Sequence, residues 1–342
     1  MASEKITSID VAKKVGVSQS AVSRVFTPGA SVSSSMENKV LKAASELGYR
    51  PNMLARSLNT GKSKIIGLVI SYLDNQFYPD VLEMLSSRLQ ENGYQILMFI
   101  ASSDTKNLDQ VLNEILDYQV DGIVMASVEL SSVISKKIDS ADIPVILLNR
   151  SLDNIRFSSV TSNNYRGGKL IADFLIRSGH QKISHIAGNE KASTQRDRET
   201  GFIDGLKEAG MDLFSREIGN FMLDQASVAA REMFSSKVIP DAVFVANDHM
   251  AFAVMDVLRT DLCLKIPDDV SVIGFDDVKI CSWPSYNLTT VRQPINTMVD
   301  KTVSLLISQL EENNSAKQVE LDVELIVRGS CKLPEMFSRK EG

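Results

Sequence analysis

Seven short aliphatic runs recur through most of the chain. They are IIGLVIS from Ile65, YQILMFIA from Tyr94, GIVMAS from Gly122, PVILLN from Pro144, KISHIAG from Lys182, AVFVAN from Ala242 and VSVIGF from Val270. Stretches with helical spacing separate them: VLEMLSSRLQENG, the segment around Leu108–Tyr118, a shorter one before Pro144, GGKLIADFLIRSG, GFIDGLKEAG, HMAFAVMDVLR and INTMVDKTVSLLISQL. Near-continuous Ile, Val and Leu runs between helices are the signature of parallel strands covered on both faces. This alternation commits residues 64–342 to an α/β body. ELDVELIVRGS reads as a terminal strand.

The body divides into two halves of similar plan, with lobe crossovers expected near residue 160 and near residue 290. Open parallel sheets bind ligands outside the carboxyl ends of their strands. The residues just past the runs are polar: Ser71, Asp74 and Asn75; Ser127; Asn149 and Arg150; Asn247 and Asp248; Asp276 and Asp277. Two lobes with such ends predict a polar cleft between them.

Residues 1–50 have a different texture. In VAKKVGVSQSAVSRVF, Ile9, Ala12 and Val15 mark an apolar helical face that Gly16 ends, and Ser18 can cap a second helix to about Phe26. On that helix Ala21, Val22 and Val25 face inward, leaving Gln19, Ser20, Ser23 and Arg24 outside. A third helix over SSSMENKVLKAASELGY completes a core through Val40, Leu41, Ala44 and Leu47, with Ser34 and Glu37 as a capping box and Ser33 as the other possible cap. This is a helix-turn-helix with a supporting helix. Short polar side chains at the start of the second helix admit close approach to base edges, and Arg24 can read guanine or hold a phosphate. A helical hairpin with a polar outer face is the other reading of the same spacing.

Between head and body lies YRPNMLARSLNTGKSK, residues 49–64. Pro51 breaks the path and Asn52 can cap a helix from Met53 to Leu58, too short to persist alone. Leu58 then either packs on its twin across a dimer axis, wedges between base pairs beside Arg56, or sits in a flexible linker.

Charge separates these parts. Residues 1–64 hold seven Lys and three Arg against one Asp and three Glu, a net +6, while the whole chain carries -6, so the remaining 278 residues carry -12. A basic head on an acidic body fits contact with a polyanion through the head. Catalytic signatures are missing: no GxGxxG comes after the first strand, and there is no GxxxxGK[ST] loop or GxSxG elbow. Cys263, Cys281 and Cys331 are scattered without metal-ligand spacing, and of the three histidines His180 sits in a turn, His185 in an apolar strand and only His249 at a strand end. No cofactor or metal is expected. The opening MASEKITSID lacks the apolar core of a secretory signal, and no apolar run approaches the ~20 residues of a membrane span, so a cytoplasmic protein is expected.

Several segments in order, IDVAKKVGVSQSAVSRVF, KVLKAASELGYRPNMLARSL, DGIVMAS, RDRETGF, VFVANDHMA, GFDD and LTTVRQP, resemble the bacterial LacI/GalR family of transcription regulators over essentially the full chain. The resemblance implies an α/β protein with an all-helical helix-turn-helix head (1–50), a hinge helix and linker (51–63), and a bilobal, periplasmic-binding-protein-like body for effector binding and dimerisation (64–342). It implies a homodimer on a pseudopalindromic operator, usually acting as a repressor. Gln19, Ser20 and Arg24 would read bases. Asn52 to Leu58 would be a hinge helix that folds on DNA, with Arg56 beside Leu58 as minor-groove wedge and Ala55 packed closely in the groove. In the body, Arg198, Asn247 and Asp276 would contact the effector, with Phe221 as an aromatic wall and Asn75 and Phe77 on the cleft-lining loop.

Asn149 stands where many sugar-sensing members have Asp. With Arg196, Arg198 and His249 nearby, this favours an acidic sugar or sugar phosphate over a neutral sugar, with a nucleobase as the alternative effector. A solute-binding protein for transport is the reading from another class; it explains the body but not residues 1–60. The chain ends soon after its last strand without a heptad tail, so a dimer is expected rather than a tetramer.

Overall fold

The structure is a computed structural model that describes residues 6–27, 29–51, 61–71, 73–101, 105–128, 143–152, 157–312 and 314–334. Asn52, Ala55, Arg56 and Leu58 lie outside the described residues, as does the short helix expected before Pro144. The chain forms two compact units, Met1–Ser63 and Lys64–Gly342.

The first unit contains α1 (Ser8–Val15), α2 (Gln19–Val25) and α3 (Ser34–Leu47). Gly16 closes α1 at φ +76°, a left-handed conformation open to glycine without strain. The Ser18 hydroxyl accepts the Ala21 N–H at 3.2 Å and starts α2. The core joins Val11, Ala12, Val22, Val40, Ala43 and Ala44. Two expected core positions face water instead: Ile9 is 47% exposed and Leu41 43%. Val11 and Ala43 take their places, because the buried stripe is offset around each helix from the one the spacing predicts. Ser33, not Ser34, caps α3, accepting the Met36 N–H at 3.4 Å.

The second unit holds two six-stranded sheets. The first contains β1 (Ile65–Ile70), β2 (Gln95–Ile100), β3 (Gly122–Ala126), β4 (Val145–Leu148), β5 (Ser158–Ser162) and β11 (Gln318–Leu321), in the order β11-β5-β4-β3-β1-β2. All its neighbours run parallel. The second contains β6 (Ile183–Ala187), β7 (Arg216–Ile218), β8 (Ala242–Val245), β9 (Ser271–Asp276), β10 (Thr289–Arg292) and β12 (Glu324–Ile326), in the order β12-β10-β9-β8-β6-β7. Only β12 is antiparallel to its neighbour. In both sheets the strand order reverses direction beside the first strand of the lobe, at β1/β3 and β6/β8. These are the switch points where ligand crevices form.

Between the strands lie α4 (Phe77–Glu91) and α5 (Thr105–Asp117) in the first half, then α6 (Asn164–Arg177), α7 (Ser193–Glu208), α8 (Leu223–Phe234) and α9 (Asp248–Asp256), and finally α10 (Ile295–Glu312). The chain leaves the first sheet after β5 and returns after β10, where α10 packs on α4, β4 and β5. A third crossing separates β11 from β12: the segment expected to be one terminal strand serves both sheets, broken at Asp322 and Val323. One apolar cluster includes Leu68 and Ile146 of the first sheet with Val243 and Met250 of the second half.

Three strands lie outside every segment that the sequence reads as a strand. β5 is SSVTS and is buried throughout. The hydroxyls at its two ends are bonded by the crossing segments. Ser158 Oγ accepts from the Lys317 N–H at 3.0 Å and the Gln309 side chain at 2.9 Å, and Ser162 donates to Gln293 Oε1 at 2.7 Å. A polar strand can occupy the interior when each polar group has such a partner. β7 and β10 are the other two.

Candidate functional site

The outer face of α2 presents Gln19, Ser20, Ser23 and Arg24, all exposed. Gln19 donates to Ser8 Oγ at 3.0 Å and Ser20 shares a 2.9 Å hydrogen bond with Ser18, so α1 and the cap orient the start of this face. Arg24 stands a turn further on. The geometry is that of a helix face free to enter a groove, with a cation at its far end.

In the body, several of the polar groups at the strand ends gather into one buried cluster. Arg198 of α7 is its centre: it donates from Nε to Asn164 Oδ1 at 2.8 Å, from Nη1 to the Ala246 carbonyl at 2.7 Å and from Nη2 to Asp276 Oδ1 at 3.4 Å. Its guanidinium lies 3.7 Å from the centre of the Phe275 ring. Asp276 also accepts from Gln293 Nε2 at 2.7 Å and from Asn75 Nδ2 at 3.3 Å. Asn75 lies in the loop after β1 and Asp276 ends β9, so this last bond ties the first sheet's loop to the second sheet. Burial raises the Asp276 carboxyl above its ordinary range, opposed chiefly by Arg198.

Asn149 and Arg150 come directly after β4. Asn149 holds φ +58° and donates from its side chain to the Tyr78 hydroxyl at 3.3 Å. Tyr78 in turn bonds Ser127 at the end of β3. Arg150 Nη1 donates to the Asn149 carbonyl at 2.9 Å and to Thr194 Oγ1 at 2.7 Å. Phe221, at φ +62°, lies with its ring centre 6.0 Å from the Arg150 guanidinium. Positive φ recurs at the strand ends, at Ser127, Asn149, Phe221, Asp276 and Asp277. Held backbone of this kind concentrates where side chains must be aimed.

The remaining expected residues are more dispersed. Phe77 is wholly buried in the apolar core, its ring edge-on to Tyr78 at 5.2 Å; its contribution to the cluster is the N–H that holds Asn75 Oδ1 at 3.1 Å. Asn247 caps α9, its Oδ1 accepting the Met250 N–H at 3.0 Å. His249 borders an outer cavity of about 490 Å³ with Asp74, Asn75 and Tyr286, which meets the cluster only at Asn75. Burial lowers its pKa, with Asp74 opposing, so the neutral imidazole is favoured there. Arg196 lies apart from the cluster: its side chain is half exposed and pairs with Asp197 at 2.8 Å, because α7 turns this position outward while Arg198 turns inward. The positive charge expected from Arg196 and His249 is thus absent from the cluster. Arg150, Thr194, Tyr78, Asn164 and Gln293 belong to it, and of these sequence reasoning names only Arg150, among the polar groups at the strand ends. Arg150 is legible as the neighbour of Asn149 at a strand end, and Gln293 as part of LTTVRQP; Tyr78 carries no signal.

The other conspicuous polar groups have structural roles. His185 Nδ1 bonds the Phe244 carbonyl at 2.9 Å and its ring stacks on Phe244 at 4.6 Å. Asp277 pairs with Arg292 and Arg328, each at 2.6 Å. Among the described residues no group of three or more His, Cys, Asp or Glu could hold a metal ion, and no helix is long and apolar enough to cross a membrane.

Known proteins share this division. Residues 8–52 match the family model "Bacterial regulatory proteins, lacI family", and residues 172–331 match "Periplasmic binding protein-like domain". The HTH-type transcriptional repressor PurR of Vibrio vulnificus (strain CMCP6) is 31% identical over 327 residues, spanning 94% of this chain and 98% of that protein. Among solved structures, the lac repressor dimer bound to operator and the anti-inducer ONPF superposes with TM-score 0.87 at 25% identity, covering 96% of this chain and 99% of the other. The transcriptional regulator CelR-cellobiose complex does so with TM-score 0.73 at 27% identity, covering 95% and 100%. The head match sets aside the solute-binding reading, and these relatives are regulators rather than enzymes. With both units matched in order, and one relative matched at this identity over nearly its whole length, the chain belongs to the LacI family of bacterial regulatory proteins and is a DNA-binding transcription regulator with a ligand-binding body.

Proposed function

We propose that the protein is a cytoplasmic repressor without enzymatic activity. Two copies grip a pseudopalindromic operator through α2, and a small polar metabolite held at the strand-end cluster sets their affinity for it. Residues 1–50 act as the reader, 51–63 as the hinge and 64–342 as the effector body, with Ala55 and Leu58 as groove contacts. A homodimer is required because one head reads one half-site.

The observation that carries the effector part is the Asn75–Asp276 bond of 3.3 Å between groups from the two sheets. A polar ligand that takes either partner alters the only kind of contact that can register one lobe against the other with precision, a directional hydrogen bond in a buried setting. It therefore favours one lobe arrangement over another, which is what a ligand must do to shift a two-state equilibrium. Asp276, Asn75 and Gln293 offer paired acceptors and donors suited to hydroxyls. A sugar or sugar derivative is the leading class, supported by the CelR-cellobiose complex among the similar structures. A nucleobase is the second reading, favoured by the identity to repressors named PurR.

Selection of operator sequences from random duplexes with the full chain, then gel-shift titration of the enriched duplex with sugars, sugar acids, sugar phosphates and nucleobases, tests this. One enriched palindrome whose retention changes with one metabolite class is the expected result. Failure to enrich any sequence sinks the DNA-reading assignment of α2, and an enriched operator blind to every metabolite sinks the effector role of the cluster.

A further inference from the structure

Among the described residues, Arg150, Arg196, Arg198 and His249 are the cationic candidates for the cluster, and three are already accounted for. Arg198 is matched to Asp276, Asn164 and the Ala246 carbonyl. Arg196 pairs with Asp197 at the surface. His249 borders the outer cavity, where burial favours its neutral form. Arg150 remains. Its residue is only 8% exposed, and its Nη1 donates to two neutral oxygens, the Asn149 carbonyl and Thr194 Oγ1. Its Nε–H, buried, has no acceptor among the described residues. No carboxylate among them lies within ion-pairing distance of it; Asp276, the acid at the heart of the cluster, is held by Arg198, Gln293 and Asn75 and acts on Arg150 only from further off.

A guanidinium keeps its charge at any pH the protein meets. A buried one without a counter-charge is unfavourable unless something supplies that charge. Beside it, Asn149 Oδ1 is buried with no donor among the described residues. The two orphan atoms belong to consecutive residues after β4 and make one recognition pattern: a cationic N–H donor next to a neutral acceptor.

We infer that the effector carries an anionic oxygen group, a phosphate or a carboxylate, which Arg150 receives, and that a hydroxyl or N–H of the same molecule donates to Asn149. This rests on the reading of the cluster as the effector site. A guanidinium fork matches such oxygens, whereas a neutral sugar or a neutral nucleobase leaves the charge without a counter-ion at pairing distance. Phosphorylated and acidic sugars meet both demands.

The test uses the full chain and matched probes at constant ionic strength: glucose, gluconate and glucose 6-phosphate; ribose and ribose 5-phosphate; and hypoxanthine, all at millimolar concentration. Melting temperature reports binding. A charged member should raise it more than its neutral counterpart. Arg150→Gln should weaken that binding by roughly tenfold or more, with Arg150→Lys intermediate, since Lys keeps the charge but loses the fork. Phosphate and carboxylate sources separate by whether glucose 6-phosphate or gluconate wins. Without ligand, Arg150→Met should raise the melting temperature, because the orphan charge is gone. A fall instead makes Arg150 a structural residue and overturns the inference. Neutral members that bind as well as charged ones, and bind Arg150→Gln undiminished, overturn it too while leaving the effector site standing. Silence from every member, neutral and charged, overturns both.

Discussion

The guanidinium of Arg198 and the carboxylate of Asp276 meet at 3.4 Å with both side chains only 3% exposed. Neither is placed by sequence proximity: one comes from α7, the other from the end of β9. Their pairing fixes the second lobe's half of the cluster, and the 3.3 Å bond from Asn75 to the same carboxylate brings in the first lobe.

Removing Arg198 leaves Asp276 buried without its cation. Arg198→Met should destabilise the protein by roughly 3–5 kcal/mol. Arg198→Lys should rescue little, because one ammonium cannot span Asn164, Ala246 and Asp276 at once. Urea unfolding of the three proteins decides this; a loss under about 1 kcal/mol in Arg198→Met would show that the pair contributes nothing net.

Asp248 predicts a pH dependence. Its carboxylate accepts from the Thr290 hydroxyl at 2.6 Å, the Cys281 thiol at 3.0 Å and the Val278 N–H at 3.1 Å. Burial nevertheless pushes its pKa from 3.8 up to about 7, with Asp276 adding to the rise. Between those values the folded protein binds a proton that the unfolded chain does not, so this group's stabilisation falls as pH rises through the window and is flat above it. Asp248→Asn should flatten the slope of unfolding free energy between about pH 4 and about pH 7. An unchanged slope in the variant assigns the dependence elsewhere.

α6 and α7 cross closely at Gly168, where an added Cβ would lie 2.1 Å from the Arg198 carbonyl oxygen and 2.7 Å from the Phe202 nitrogen. Backbone cannot give way as a side-chain tip can. Gly168→Ala should therefore destabilise by about 1–3 kcal/mol through overpacking. Because it presses on the Arg198 backbone, it should also weaken ligand binding, read by calorimetry with whichever probe the wild type binds. Full stability in this variant would mean the helices part freely.

Arg24 is exposed on the reading face of α2. Arg24→Ala should lose roughly 1–3 kcal/mol of operator affinity if it contacts a base edge. Comparison across operator variants separates the roles: loss at one base position marks base reading, uniform loss with a shallower salt dependence marks phosphate contact. An unaltered gel-shift midpoint removes Arg24 from the interface.

Much of the architecture is visible along the chain. Aliphatic runs such as PVILLN become strands because only a doubly covered sheet can bury every residue of them, and β4 is buried throughout. Gly16 and Ser18 end one helix and start the next because their constraints are local: a left-handed backbone and a cap bond three residues away. The polar strand β5 is not visible in this way. SSVTS carries no aliphatic signal, and it is the crossing segments at Gln293, Gln309 and Lys317 that supply partners for Ser158 and Ser162.

The same distinction holds at the site. The residue types at the strand ends, and the motif positions of Arg198, Asn247 and Asp276, were set by sequence, because the residues after a parallel strand must lie at the sheet's carboxyl edge. Which cations face inward was decided by the tertiary structure. Arg196 and Arg198 are two residues apart on α7, and helical rotation sends one to solvent with Asp197 and the other to Asp276. Arg150 is one of several polar strand-end residues until α7 brings Thr194 against it and leaves its Nε without an acceptor among the described residues. Local patterns determine strands, turns and caps, since their energies involve near neighbours. Burial and the pairing of charge depend on segments tens to hundreds of residues away, and only the folded chain sets them.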